Sequence, residues 1–73
     1  MNLNSNVNGF VEAIKHSEKG ISVKIMVEGG IFHEYGNLSH VTVKEFQQIN
    51  EGDLIGVING EFQYFVKKQD KDS

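Results

Sequence analysis

From Ile21 to Val27 the chain alternates: Ile21, Val23, Ile25 and Val27 are apolar, with Ser22, Lys24 and Met26 between them. Successive side chains of a strand point to opposite faces, so this spacing creates one apolar face and predicts a half-buried strand. A helix needs apolar residues every three or four positions, and no stretch of the chain sustains that period. Glu28-Gly29-Gly30 then reads as a hairpin turn, because glycine accepts the positive φ that tight turns require. Ile31 to Tyr35 returns as the partner strand. Upstream, Gly9 to Ile14 is a further β-rich run, ended by the polar turn His16-Ser17-Glu18-Lys19-Gly20.

The same reading continues downstream. Val41-Thr42-Val43 is a brief β-branched segment. Lys44 to Asn50 places Phe46 and Ile49 three apart, which predicts a single helical turn and no more. Glu51-Gly52-Asp53 turns the chain into a strand over Leu54 to Ile58. Asn59-Gly60 is the strongest hairpin signal, since both central residues of a type I′ turn need positive φ. Phe62 to Lys67 then closes the sheet. Short strands about ten residues apart, with no long helix, predict an all-β fold, a small antiparallel β barrel or sandwich. Residues 9–68 form one domain in this reading, and the polar ends, 1–8 and 69–73, are expected to be flexible.

A chain of 73 residues buries only about 60% of its unfolded surface, so its stability margin is thin. It has no cysteine, which removes disulfides and thiolate zinc sites as staples. Ten acidic residues against seven lysines, with no arginine, give a net charge of −3. Affinity for nucleic acid rests on neutralising phosphates, so this balance weighs against that class. No run approaches the eighteen or so apolar residues that cross a bilayer as a helix. The opening MNLNSNVNG lacks the basic and apolar regions of a secretory signal. The expected compartment is cytoplasmic if Met1 is the natural start, and extracytoplasmic if the domain derives from a membrane-anchored parent.

Few residues invite catalysis. His16, His33 and His40 occur in neither HxH nor HExxH spacing, and they read as surface or half-buried histidines rather than zinc ligands. Glu51 and Asp53 flank a glycine, a pattern of turn chemistry more than of a paired acid and base. Neither GDLIG nor EGG has the pattern or the following helix of a phosphate loop, and Ser17, Ser22 and Ser39 lack the context of a nucleophile elbow. No cofactor is expected. In the last strand, Phe62, Tyr64 and Val66 share one face, while Gln63, Phe65 and Lys67 share the other. With one interior to fill, one of these sets is expected to be core and the other to cover an edge or line a groove.

The stretch from Tyr35 to Val66 combines Tyr-Gly-Asn-Leu-Ser, Glu-Gly-Asp-Leu-Ile-Gly and a final aromatic strand. In that order it resembles the closing half of a LytM-type (M23, lysostaphin-like) zinc peptidase domain. That family carries Tyr-x-His-Leu-Ser, then Gly-Asp or Gly-Gln before Ile-Gly, then a strand with His-x-His. Gly9-Phe10-Val11 and Gly20 to Val27 resemble its earlier strands, so the likeness spans about Gly9 to Lys68. Here Asn37 stands at the Tyr-x-His histidine, Phe62 and Tyr64 stand at His-x-His, and no His-x-x-x-Asp pair occurs. Asparagine lacks the basicity of imidazole, and phenylalanine neither ligates a metal nor moves a proton.

The resemblance therefore implies a domain without peptidase activity, similar to those of the stage IV protein FA and stage II protein Q types of sporulation membrane proteins. It implies a protein partner, held at Tyr35, Asn37, Phe62 and Tyr64 where the zinc groove would be. Two alternatives remain open. One is an OB- or SH3-like barrel that stacks single-stranded nucleic acid on Phe62, Tyr64 and Phe65. The other is a small phage or mobile-element protein that binds a host factor.

Overall fold

The computed structural model describes residues 1–68; the expectation for 69–73 lies outside them. Eight strands follow in order: β1 (Asn2–Asn4), β2 (Gly9–Ser17), β3 (Gly20–Val27), β4 (Ile31–Leu38), β5 (His40–Val41), β6 (Gln48–Ile49), β7 (Leu54–Val57) and β8 (Gln63–Lys68). They form two antiparallel sheets, one ordered β1-β7-β5 and the other β6-β2-β3-β4-β8. The fold is all-β, with no helix among the described residues, and the strands do not close into a barrel. One core lies between the sheets: Leu3, Ile55 and Ile58 belong to it together with Val11, Val23, Ile25, Tyr35 and Leu38.

The alternating segment behaves as its pattern dictates. Val23 and Ile25 of β3 are fully buried, and Ile21 and Val27 pack against the same core. The turn before β3 is tighter than the sequence suggested. Strand pairing runs to Ser17↔Gly20, leaving only Glu18 and Lys19 in the loop. The turn at residues 28–30 is as expected, with φ of 90° at Gly29 and 75° at Gly30.

β2 and β4 each depart from strict alternation. Val11 and Ile14 are three apart, yet they oppose Ile25 and Val23 on the same face of β3. A bulge between Val11 and Ala13 absorbs the extra residue. In β4 the pair is Tyr35, opposite Val23, and Leu38, opposite Ile21. The bulge between them is made by Gly36 and Asn37, and Asn37 sits at φ 68°. Asparagine tolerates this left-handed region better than most residues, which suits it to the position.

Three local expectations are corrected. The first concerns residues 1–8, which are not a frayed end as a whole: β1 pairs with β7 through Asn2↔Val57 and Leu3↔Gly56. Leu3 reaches the core, and buried Ser5 exchanges backbone hydrogen bonds with Asp53 and Gly52. The asparagines hide this because they point outward while the backbone supplies the pairing. The second is the helical turn at Lys44 to Asn50. The chain instead makes a reverse turn, closed by Gln47 N–H to Lys44 C=O at 3.2 Å, and then joins β2 as β6.

The third is the Asn59-Gly60 hairpin. β7 lies between β1 and β5, so both its edges are occupied and β8 has none to pair with. The chain bends at Asn59-Gly60 and crosses to the other sheet, where β8 joins β4. Asn59 is not among the residues with positive φ, so the type I′ turn does not form. In contrast, the Glu51-Gly52-Asp53 turn is present, with Asp53 N–H donating to Asn50 C=O at 2.9 Å and the Asp53 carboxylate accepting from Asn50 N–H at 2.8 Å. That carboxylate is occupied in shaping the turn. Gly56 marks the tightest approach in the smaller sheet: a Cβ there would lie 2.2 Å from the His40 carbonyl oxygen.

Candidate binding surface on the last strand

β8 is antiparallel to β4 in an unbroken register from Ile31↔Lys68 to Gly36↔Gln63, and it forms an edge of the larger sheet. Neither of its faces is core. Phe62 just before it is 37% exposed, and Tyr64, Phe65 and Val66 are 40%, 46% and 54% exposed. The expectation that one aromatic set fills the interior therefore does not hold. The core between the sheets is closed over by β2, β3 and β4, and β8 extends the larger sheet past its rim.

Tyr64 opposes Tyr35 across the ladder, and both rings lie on the core-facing side of the sheet. Their ring centres are 5.1 Å apart with planes tilted by 40°, an ordinary aromatic packing geometry. The His33 ring centre is 5.8 Å from that of Tyr64. A chain of side-chain hydrogen bonds ties the group together. Tyr35 Oη donates to Asn6 Oδ1 at 2.5 Å, Asn6 Nδ2 donates to Tyr64 Oη at 3.1 Å, and Tyr64 Oη lies 2.6 Å from His33 Nδ1. Tyr64 Oη is thus shared between Asn6 Nδ2 and His33 Nδ1.

Tyr35 is buried at the inner end of this chain, and Tyr64, bonded to both Asn6 and His33, is half-exposed. Burial raises the Tyr35 phenol above its ordinary range, since the anion would lose its hydration. The backbone N–H of Asn6 acts in the opposite sense, the nearby Tyr64 adds to the rise, and the Ser5 side chain opposes it. Desolvation is the larger influence, so the group is neutral and serves as a donor.

The opposite face of the same sheet is amphipathic. Phe65 opposes Glu34 there, and Phe32 opposes Lys67. Lys67 Nζ lies 5.7 Å from the Phe65 ring centre and Lys24 Nζ 4.8 Å from that of Phe32, both within cation–π range. Lys24 also approaches Glu12 at 3.8 Å. Asn37 borders a shallow hollow on this face with Ser22, Glu34, Gln63 and Phe65. Its Nδ2 donates to Glu61 C=O at 2.8 Å, fastening the start of β8 to the bulge of β4.

The four sequence-nominated residues thus fall into separate places. Tyr35 and Tyr64 meet on the core-facing side, Asn37 borders the hollow on the other side, and Phe62 lies at the approach to β8. Of the histidines, His33 joins the tyrosines while His16 and His40 are exposed. Sequence reasoning missed Asn6 altogether. No local signal marks it, because its partners Tyr64 and Tyr35 are 58 and 29 positions away. It also missed Phe46, which is 74% exposed at φ 69°. A bulky residue is an outlier in that region, held here by Phe46 N–H donating to Val11 C=O at 2.7 Å.

Comparison with models of protein families, with curated proteins and with solved structures finds no match to this chain.

Proposed function

We propose that this chain is a catalytically inactive, LytM-like β domain that works as a protein-binding module, with β8 and its flanks as the recognition surface. The observation that carries the reading is the exposure of four large apolar side chains, Phe62, Tyr64, Phe65 and Val66, within five consecutive positions. Scattered exposed apolar residues are ordinary, but Phe62, Tyr64 and Val66 along one side of an edge strand, with Phe65 on the other, have the character of an interaction surface. Tyrosine suits such a surface because it offers large area and a polar end at little entropic cost. Tyr64 is held in place by His33 and Asn6 before any partner arrives, which lowers the cost of ordering it on binding.

The test uses a displayed library of random peptides selected against the immobilised domain. Titration of the selected peptides is expected to shift the amide resonances of β8. Tyr64→Ala is expected to weaken them by at least about 1 kcal/mol, or roughly fivefold, while the fold survives. Peptides that bind without involving β8, or that bind the Tyr64→Ala variant equally well, overturn the surface assignment. Stoichiometric zinc in the purified protein, with hydrolysis of a peptidoglycan-type peptide, overturns the inactive reading.

A second reading has one observation in its favour. The face bearing Phe32 and Phe65 sets a lysine over each ring, a combination that suits stacked bases and phosphates. Against it, Glu12 and Glu34 share that face, and the chain carries a net charge of −3. Salt-dependent binding of a single-stranded oligonucleotide at micromolar protein would favour it over the protein-binding reading.

A further inference from the structure

We infer that β8 pairs with β8 of a second copy, joining two five-stranded sheets across a twofold axis. This goes beyond the proposed function and does not depend on it. Three observations lead to it, beginning with the edges. In the larger sheet the other edge, β6, has two residues; in the smaller sheet β1 has three and β5 two. β8 has six, and among the described residues it pairs only with β4. The other long open edge, Glu12 to Ser17 of β2 beyond its two pairs with β6, carries Glu12 and Lys15 and has its Ile14 N–H taken by the Glu45 carboxylate.

The second observation is how little protects it. Sheet edges are normally blunted by proline, bulges or charges placed along the strand. The chain contains no proline, β8 runs without a bulge, and Gln63 to Val66 is uncharged. The charges are confined to Lys67 and Lys68 at one end, with Glu61 two residues ahead of the strand at the other.

The third observation names the occupant. A twofold axis perpendicular to the sheet preserves its faces, so core-side residues must oppose core-side residues. Centred on Tyr64, the pairing sets Tyr64 against its own copy, Gln63 against Phe65, Phe62 against Val66, and Glu61 against Lys67. Moved two residues in one direction, it opposes Gln63 to Lys67 and Phe62 to Lys68. Moved two in the other, it opposes Glu61 to Phe65. Of these registers, only the Tyr64-centred one brings opposite charges together, and symmetry does so twice. The strand is complementary to itself in charge and in aromatic surface, which points to a second copy rather than an unrelated strand.

The experiment is sedimentation equilibrium of the intact chain from micromolar to millimolar concentration, joined to zero-length carbodiimide coupling of carboxylates to amines. A mixture of nitrogen-14 and nitrogen-15 protein separates links between copies from links within one. The expected result is a concentration-dependent dimer whose inter-copy links join Glu61 to Lys67. Lys67→Glu places like charges opposite each other and is expected to weaken the dimer roughly fivefold or more. Adding Glu61→Lys to that variant reverses both charges and is expected to restore it. A protein that stays monomeric throughout overturns the proposal. So does a dimer that leaves Glu61 and Lys67 unlinked, or one whose strength ignores both variants.

Discussion

Ile25 is the position where packing in this fold can be tested most directly. It is fully buried in the central strand of the larger sheet, opposing Val11 of β2 on one side and His33 of β4 on the other. Ile25→Ala removes three carbon groups. At about 0.8 kcal/mol per buried group, the lost transfer free energy is about 2.4 kcal/mol. The neighbours are backbone-paired strands on both sides and cannot close over the space, so a cavity penalty raises the cost to about 3–4 kcal/mol. A domain of this size has a total stability of about 3–5 kcal/mol, so the variant is expected to be largely unfolded in water. The assay is urea denaturation followed by circular dichroism and by tyrosine emission, which is interpretable because the chain has no tryptophan and Tyr35 is core. Ile25→Val keeps the protein measurable, with an expected loss of about 0.5–1.5 kcal/mol. An unchanged midpoint for Ile25→Ala, or a larger loss for valine than for alanine, would refute the packing argument.

Leu3→Ala is expected to cost about 2 kcal/mol, because Leu3 packs in the core at the rim of the small sheet; a frayed segment would give no change in midpoint. Tyr35 has its phenol pKa raised on folding, so the neutral form is favoured in the native state. The stability it contributes is therefore complete below the unfolded value of about 10 and is lost as pH rises through the folded value. Tyr35→Phe is expected to lose about 1 kcal/mol at neutral pH with its hydrogen bond to Asn6, and to show a shallower alkaline decline; parallel pH profiles for both proteins would contradict this. Phe46→Gly relieves a left-handed bulky residue and removes a ring that is 74% exposed. Thermal melting is expected to show a gain of up to about 1 kcal/mol, and a loss of that size would mean the ring is packed.

The parts of this fold legible in the sequence are those fixed by neighbours along the chain. Ile21 to Val27 reads as a strand because its burial follows a period of two, and the Gly29-Gly30 turn reads because its backbone angles exclude most other residues. The bulges were illegible because a spacing of three, as in Val11 and Ile14 or Tyr35 and Leu38, resembles noise in a strand pattern. Asn59-Gly60 carries a strong local preference that tertiary structure overrides, since β7 has no free edge to offer. At the candidate surface, the aromatic pattern of β8 was plain while its neighbours were not. Asn6 reaches Tyr64 and His33 reaches it too only once distant strands are in register, and no local pattern records such contacts.

The small sheet also dictates an order of assembly. The meander from β2 to β4 needs only residues 9–38, and its turns are short, so it can form early at little loop-closure cost. β1 has no such freedom: the Met1 amino group donates to the Ile58 carbonyl, 57 positions away, and β7 must exist before Leu3 has a surface to cover. β1 is synthesised before β7 and is thus among the last of these strands to dock. Until β7 is made, Val11, Val23 and Ile25 present an uncovered apolar face. Such non-local pairing slows folding and lengthens the interval in which that face is open to other chains. A stretch that reads as a flexible polar end is, kinetically, the lid that ends this vulnerable interval.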